Sequence, residues 1–146
     1  MEPTSSHRHL KCIVVTPERA VLDTTADFVA LPMYDGELGV LPGRMPLIGR
    51  LGIGELRVRQ GHETKHLFVD GGFAQIRADV VTVLTQSALP AEEIKPDAVV
   101  AETQKARELS GRNPEDMAVK EKAEQRARVK RHLIGQPAAG AAHGGH

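Results

Sequence analysis

The sequence predicts a β-then-α chain: a front part of short antiparallel strands packed as a sandwich or flattened barrel, then an antiparallel two-helix hairpin. Three observations carry this. Before about residue 90 apolar side chains recur with period two, as in "GELRVRQ" (54–60), where Glu55, Arg57 and Arg59 alternate with Leu56 and Val58. Turn residues punctuate the same region every few positions, and no helix of useful length fits between them, which argues against a βαβ fold. From Pro96 onward the texture changes to Ala, Glu, Lys and Arg.

Residues 1–9 read as a flexible extension and 10–90 as the sandwich. "LKCIVVT" (10–16) opens the strands and stops at Pro17; a short segment follows around Val21, then "DFVALPM" (27–33). "DGELGVLPGRMPLIG" (35–49) is too apolar for a surface linker and too broken for one long strand. Glycine supplies positive φ without a Cβ clash, and proline presets φ while ending a ladder, so this stretch reads as a corner where the chain reverses or changes sheets. After "GELRVRQ" comes "HLFVD" (66–70), a turn at Gly71-Gly72, "FAQIR", a turn at Ala78-Asp79, and "VVTVLT" (80–85).

Residues 91–134 read as the hairpin. "PDAVVAETQKAREL" (96–109) has Pro96 at a first helical position, Asp97 at the positive end of the dipole and Ser110-Gly111 as its stop. "PEDMAVKEKAEQRARVKRHLI" (114–134) restarts on Asn113 as N-cap with Pro114, Glu115 and Asp116 behind it. Only a few residues join the two, so they lie antiparallel. Val119, Ala123, Ala127 and Ile134 share a face of mostly methyl-sized groups. Burying alanines stabilises little, so the hairpin is expected to close tightly yet detach readily. The tail 135–146, "GQPAAGAAHGGH", has no packing pattern and is expected to be disordered.

Composition narrows the function. Formal net charge is zero, aromatics are 3% and Trp is absent, which argues against base-stacking and field-steered nucleic-acid binding. No apolar stretch approaches the roughly 20 residues that span a bilayer, and "MEPTSSHRH" has no signal-like apolar core. Cys12, the single cysteine, reads as a buried small hydrophobe in a reducing compartment. There is no phosphate loop; "GIGELR" (52–57) lacks the third glycine of a dinucleotide fingerprint; no HExxH or GxSxG occurs among the seven histidines and the serines. No catalytic, cofactor or metal residue is expected. Six Lys/Arg against two Glu between Lys120 and Arg131 form either a solvated face or a strip for an acidic partner.

"DGELGVLPGRMPLIGRL" resembles the signature stretch of the epsilon subunit of F-type ATP synthases, and "VVTPERAVLDTTADFVALP" and "LFVDGGFAQIRADVVTVLTQSA" resemble its other strand segments. The resemblance runs from about residue 10 to 134. It implies a sandwich of about ten strands and a C-terminal helical hairpin in a non-catalytic central-stalk subunit. Its sandwich would bind the gamma subunit and rest on the c-ring, coupling proton-driven rotation to ATP synthesis, on the cytoplasmic face of a bacterial cell membrane. By position, Glu37 falls in the loop facing the c-ring, and Pro42, Gly43, Arg44, Pro46 and Leu47 fall near gamma and the ring. Arg44 stands where the family commonly has His. The resemblance also implies a hairpin that inhibits ATP hydrolysis by extending toward the alpha and beta subunits, with Arg126, Arg128, Lys130 and Arg131 docking on beta. Some members bind ATP through Ile-Asp-x-x-Arg-Ala; here Lys95 replaces the Asp and Ala98 the Arg, so no regulatory ATP site is expected. The alternative reading is a free-standing β-sandwich ligand-binding module with a helical dimerisation tail.

Overall fold

The computed structural model describes residues 8–136, so most of the N-terminal extension (1–7) and most of the tail (137–146) lie outside the described residues. Strands β1 (Leu10–Val15), β2 (Ala20–Ala26), β3 (Phe28–Met33), β4 (Gly36–Val40), β5 (Leu47–Gln60), β6 (Glu63–Arg77), β7 (Val80–Leu84) and β8 (Ala88–Pro90) are followed by helices α1 (Pro96–Glu108) and α2 (Pro114–Ile134). The strands hydrogen-bond in the order β2-β1-β7-β6-β5-β3-β4, with β8 also on β6.

Two expectations need correction. The sheet is mixed, because β1 runs parallel to β7, from Lys11 opposite Val80 to Val15 opposite Leu84. Turn signals report only the pairing of chain neighbours; β1 and β7 are distant in sequence, and no hairpin constrains their direction. The described residues also hold eight strands rather than about ten. β5 and β6 are long because two segments fuse in each, and Gly71-Gly72 is a bend inside β6 rather than a turn between strands.

That bend decides the architecture. Gly71 and Gly72 adopt φ of +70° and +105°, and a Cβ on Gly72 would overlap the Leu84 carbonyl oxygen. Beyond it Phe73–Arg77 pairs with β7; before it Leu67–Val69 pairs with β8. The β5–β6 hairpin nevertheless keeps one register from Leu47 opposite Ile76 to Gln60 opposite Glu63. A single ladder therefore bends through the corner, and the sheet folds over itself. The core reflects this: Leu10, Cys12 and Val14 of β1 pack in one cluster with Val29 and Leu31 of β3, four strands away in the ladder order. Leu56 and Val58 face that core, as their alternation predicts. Cys12 is fully buried, and burial pushes its thiol pKa up to about 12.

The helices form nearly where their signals fall. α1 starts on Pro96 and ends at Glu108, with Leu109 as its cap. The Asn113 side chain accepts from the Asp116 amide at 2.8 Å, capping α2. Lys120 Nζ donates to the carbonyls of Arg107 (2.6 Å) and Leu109 (3.0 Å), a cation closing the negative end of α1. Ala106 and Ala127 are both buried, and methyl-sized groups let the helices approach closely. Val119, however, is 60% exposed, and Leu133 is the fully buried residue of α2. The stripe read from the sequence turns partly toward α1 and solvent, whereas Leu133 turns toward the sheet. There it joins Phe68, Ile94 and Val99 in a second, smaller cluster separate from the main core.

Candidate functional site

Two surfaces hold the residues singled out from the sequence. The first is the segment between β4 and β5. Arg44 N donates to Leu41 O at 3.3 Å and Gly43 has φ +90°, so Leu41–Arg44 forms a turn with proline second and a positive-φ glycine third, the type II arrangement. The Gly43 N–H then donates to Asp79 Oδ1 at 2.8 Å. Arg8 grips the other oxygen, with Nε at 3.1 Å and Nη2 at 2.5 Å from Oδ2. These contacts, the Gly43 N–H first and Arg8 next, hold the Asp79 carboxyl below its ordinary pKa. Asp79 sits with Ala78 in a two-residue turn in which both have positive φ, 64° and 52°. Leu41, Arg44, Met45 and Pro46 remain exposed, Met45 at 78%.

Glu37 is not in a loop. It lies in β4 opposite Pro32, and its Oε1 is 2.9 Å from Arg57 Nη2. Leu47 starts β5 and is half-buried against the main core. Glu37 and Leu47 share an open cleft of about 540 Å³ with Met33, Tyr34 and Arg50. The six residues thus divide between that cleft, which β4 itself helps to line, and the Pro42–Gly43 turn that follows β4.

The second surface is the seat of α2. Arg126, Arg128, Lys130 and Arg131 do not form one strip. Arg126 and Lys130 are four apart and share a face; Arg128 and Arg131 are three apart and share another. Arg126 Nε lies 3.0 Å from Asp70 Oδ2, and Gln125 Nε2 donates to Ile53 O at 3.1 Å. Lys130 Nζ is 3.0 Å from Glu102 Oε1 and stands 4.7 Å over the Phe68 ring. Arg128 and Arg131 are exposed and flank the groove between the helices with Arg107. Lower down, Glu55 Oε2 is 2.5 Å from His66 Nδ1, and Glu55 Oε1 is 3.9 Å from His132 Nε2.

Sequence reasoning missed Asp70, Asp79, Glu102 and Arg8. Ala78-Asp79 is legible as a turn, but nothing local says that its carboxylate reaches Gly43, 36 residues away. Among the described residues no three His, Cys, Asp or Glu groups are placed to hold a metal ion, and no helix is long and apolar enough to cross a membrane.

Comparison with known proteins identifies the family. The family described as "ATP synthase, Delta/Epsilon chain, beta-sandwich domain" matches residues 9–91. An ATP synthase epsilon chain of Rhodopirellula baltica is 50% identical over 119 residues, covering 82% of this chain and 93% of the relative. That of Bacillus subtilis is 34% identical over 111 residues, covering 76% and 84%. A chain from the structure of the Euglena gracilis mitochondrial ATP synthase (OSCP/F1/c-ring, rotational state 1) superposes with a TM-score of 0.75 at 22% identity, covering 86% of this chain and 81% of that one. Sandwich match and near-full-length identity agree, and the protein belongs to the epsilon-chain family of ATP synthases.

Proposed function

We propose that the chain is a central-stalk rotor subunit that couples proton-driven c-ring rotation to ATP synthesis, and that its hairpin brakes ATP hydrolysis. Family membership makes it a subunit of a multi-subunit enzyme and not itself the catalyst. In this reading the sandwich binds gamma and rests on the c-ring through Glu37 and the segment Pro42, Gly43, Arg44, Pro46 and Leu47. The protein is peripheral, on the cytoplasmic face of a bacterial membrane, and its membrane contact comes through the complex.

The observation that carries the brake is the separate small core under the hairpin. Phe68, Ile94, Val99 and Leu133 form it without joining the main cluster. Each buried side chain of this size contributes about 1.5–3 kcal/mol before ordering costs. Moving an equilibrium from 1:99 to 99:1 takes about 5.5 kcal/mol. Docking of this strength is therefore within reach of a partner's binding energy, as a two-state element requires. Arg126 and Lys130 lie in ion pairs while the hairpin is docked. Of these, the Arg126–Asp70 pair and the seat of Lys130 on the Phe68 ring cross from hairpin to sandwich, whereas the Lys130–Glu102 pair joins α2 to α1 within the hairpin. Undocking therefore frees Arg126 to join Arg128 and Arg131 against an acidic loop of beta.

The test is reconstitution with gamma, alpha and beta, using the full chain and a form lacking residues 96–146. ATP hydrolysis should rise several-fold without the hairpin while assembly persists. Unchanged hydrolysis rejects the brake but not the rotor assignment. Sedimentation tests the latter: a monomer that captures gamma supports it, and a self-dimer that ignores gamma rejects it.

A further inference from the structure

We propose that Asp79 is a positioning residue for the rotor-facing turn, fixing Leu41–Pro46 in its docking conformation with Arg8 as a clasp; the functional half of this rests on the reading above. Pro42 presets φ at the second position of this type II turn, but the backbone bond that closes it is long, 3.3 Å. Its tip carries an outward N–H that no ladder satisfies, that of Gly43. Asp79 meets that N–H with a charged acceptor at 2.8 Å, from a strand turn built on the β6–β7 ladder. Arg8 then neutralises the carboxylate from the third direction, joining the start of β1 to the same point. Three segments remote in sequence meet at one side chain.

The conformation at Asp79 explains why the residue type is Asp. At φ 64° most side chains are strained, while Asn, Asp and Gly are tolerated. Among these only Asp supplies both an acceptor for Gly43 and a charge for Arg8. The geometry therefore assigns the carboxylate to tertiary positioning, since glycine would serve the β6–β7 turn alone at least as well. The exposed Leu41, Arg44 and Met45 are then presented at a fixed angle to the rigid sheet.

This permits a test in which the fold survives. Asp79→Gly keeps the turn and deletes the carboxylate; Asp79→Asn keeps an oxygen for Gly43 and loses the charge for Arg8. Amide hydrogen exchange on the full chain should show Gly43 about fivefold or more faster in Asp79→Gly, mostly restored in Asp79→Asn, with amides of β5 unchanged. In the holoenzyme in vesicles, protons pumped per ATP hydrolysed should fall at least twofold with Asp79→Gly and recover in part with Asp79→Asn. Unchanged Gly43 exchange overturns the positioning role and leaves the rotor reading untouched. Faster exchange with an unchanged pumping ratio shows that the turn is held but does not face the rotor, overturning the functional half and the placement of that turn.

Discussion

Two aspartates hold turns that glycines make. Asp79 accepts from the Gly43 N–H; Asp27 accepts from the Gly61 N–H at 2.7 Å, at the tip of the β5–β6 hairpin, with His9 Nδ1 3.1 Å from its other oxygen. Both carboxyls lie below their ordinary pKa of 3.8, each chiefly because of its glycine N–H. A depressed carboxyl contributes stability that is fully present above its unfolded value and is lost as pH falls through the lower folded one. Both turns should therefore stay closed at neutral pH and loosen only below about pH 4; amide exchange at Gly43 and Gly61 between pH 5 and pH 2.5, corrected for intrinsic rates, checks this. Gly72 is governed by sterics instead. With φ +105° and a Cβ that would meet the Leu84 carbonyl, Gly72→Ala should destabilise the sandwich by about 2–4 kcal/mol, read from denaturant unfolding. None of these three roles is visible in neighbouring residues. "DGG" and "AD" announce a change of direction, but the partner that fixes each meaning lies elsewhere in the chain.

At the scale of elements, boundaries with a local chemical cause were readable and those set by tertiary contact were not. Asn113, Pro114 and the acids behind it start α2 where predicted, because capping is a matter of three or four residues. The period-two pattern places Leu56 and Val58 inside for the same reason. β4 escaped notice because Gly36–Val40 is a short edge strand whose pairing with β3 has no alternating pattern to report it. α2 has two seats, and the sequence showed only the alanine one. Leu133 stands on the other, in the small cluster with Phe68. Leu133→Ala should cost about 2–4 kcal/mol at that seat alone. Limited proteolysis should then cut α2 faster while the unfolding midpoint of the sandwich stays put, because the two clusters are separate. In the reconstituted enzyme the same change should lower hydrolysis, since an undocked hairpin is the braking state proposed.

For the whole molecule, the candidate site was only partly legible. Composition marks the segment from Pro42 to Leu47 only as a corner, and its place in a rotor-facing surface comes from the resemblance alone; Glu37 proved to be a strand residue paired with Arg57, and the basic run proved to be two faces rather than one. Helical geometry alone divides Arg126 and Lys130 from Arg128 and Arg131, but only the docked structure shows that the first pair is engaged with acids. The parallel joining of β1 to β7 was beyond any local signal, and it has a consequence for how the chain is born. Strand β1 has β2 beside it early but gains its second neighbour only after Leu84 has been synthesised. Until then one rim of the nascent sheet stays open. Closure of the front half is thus timed by translation of nearly its entire length, after which the two helices emerge onto a finished platform.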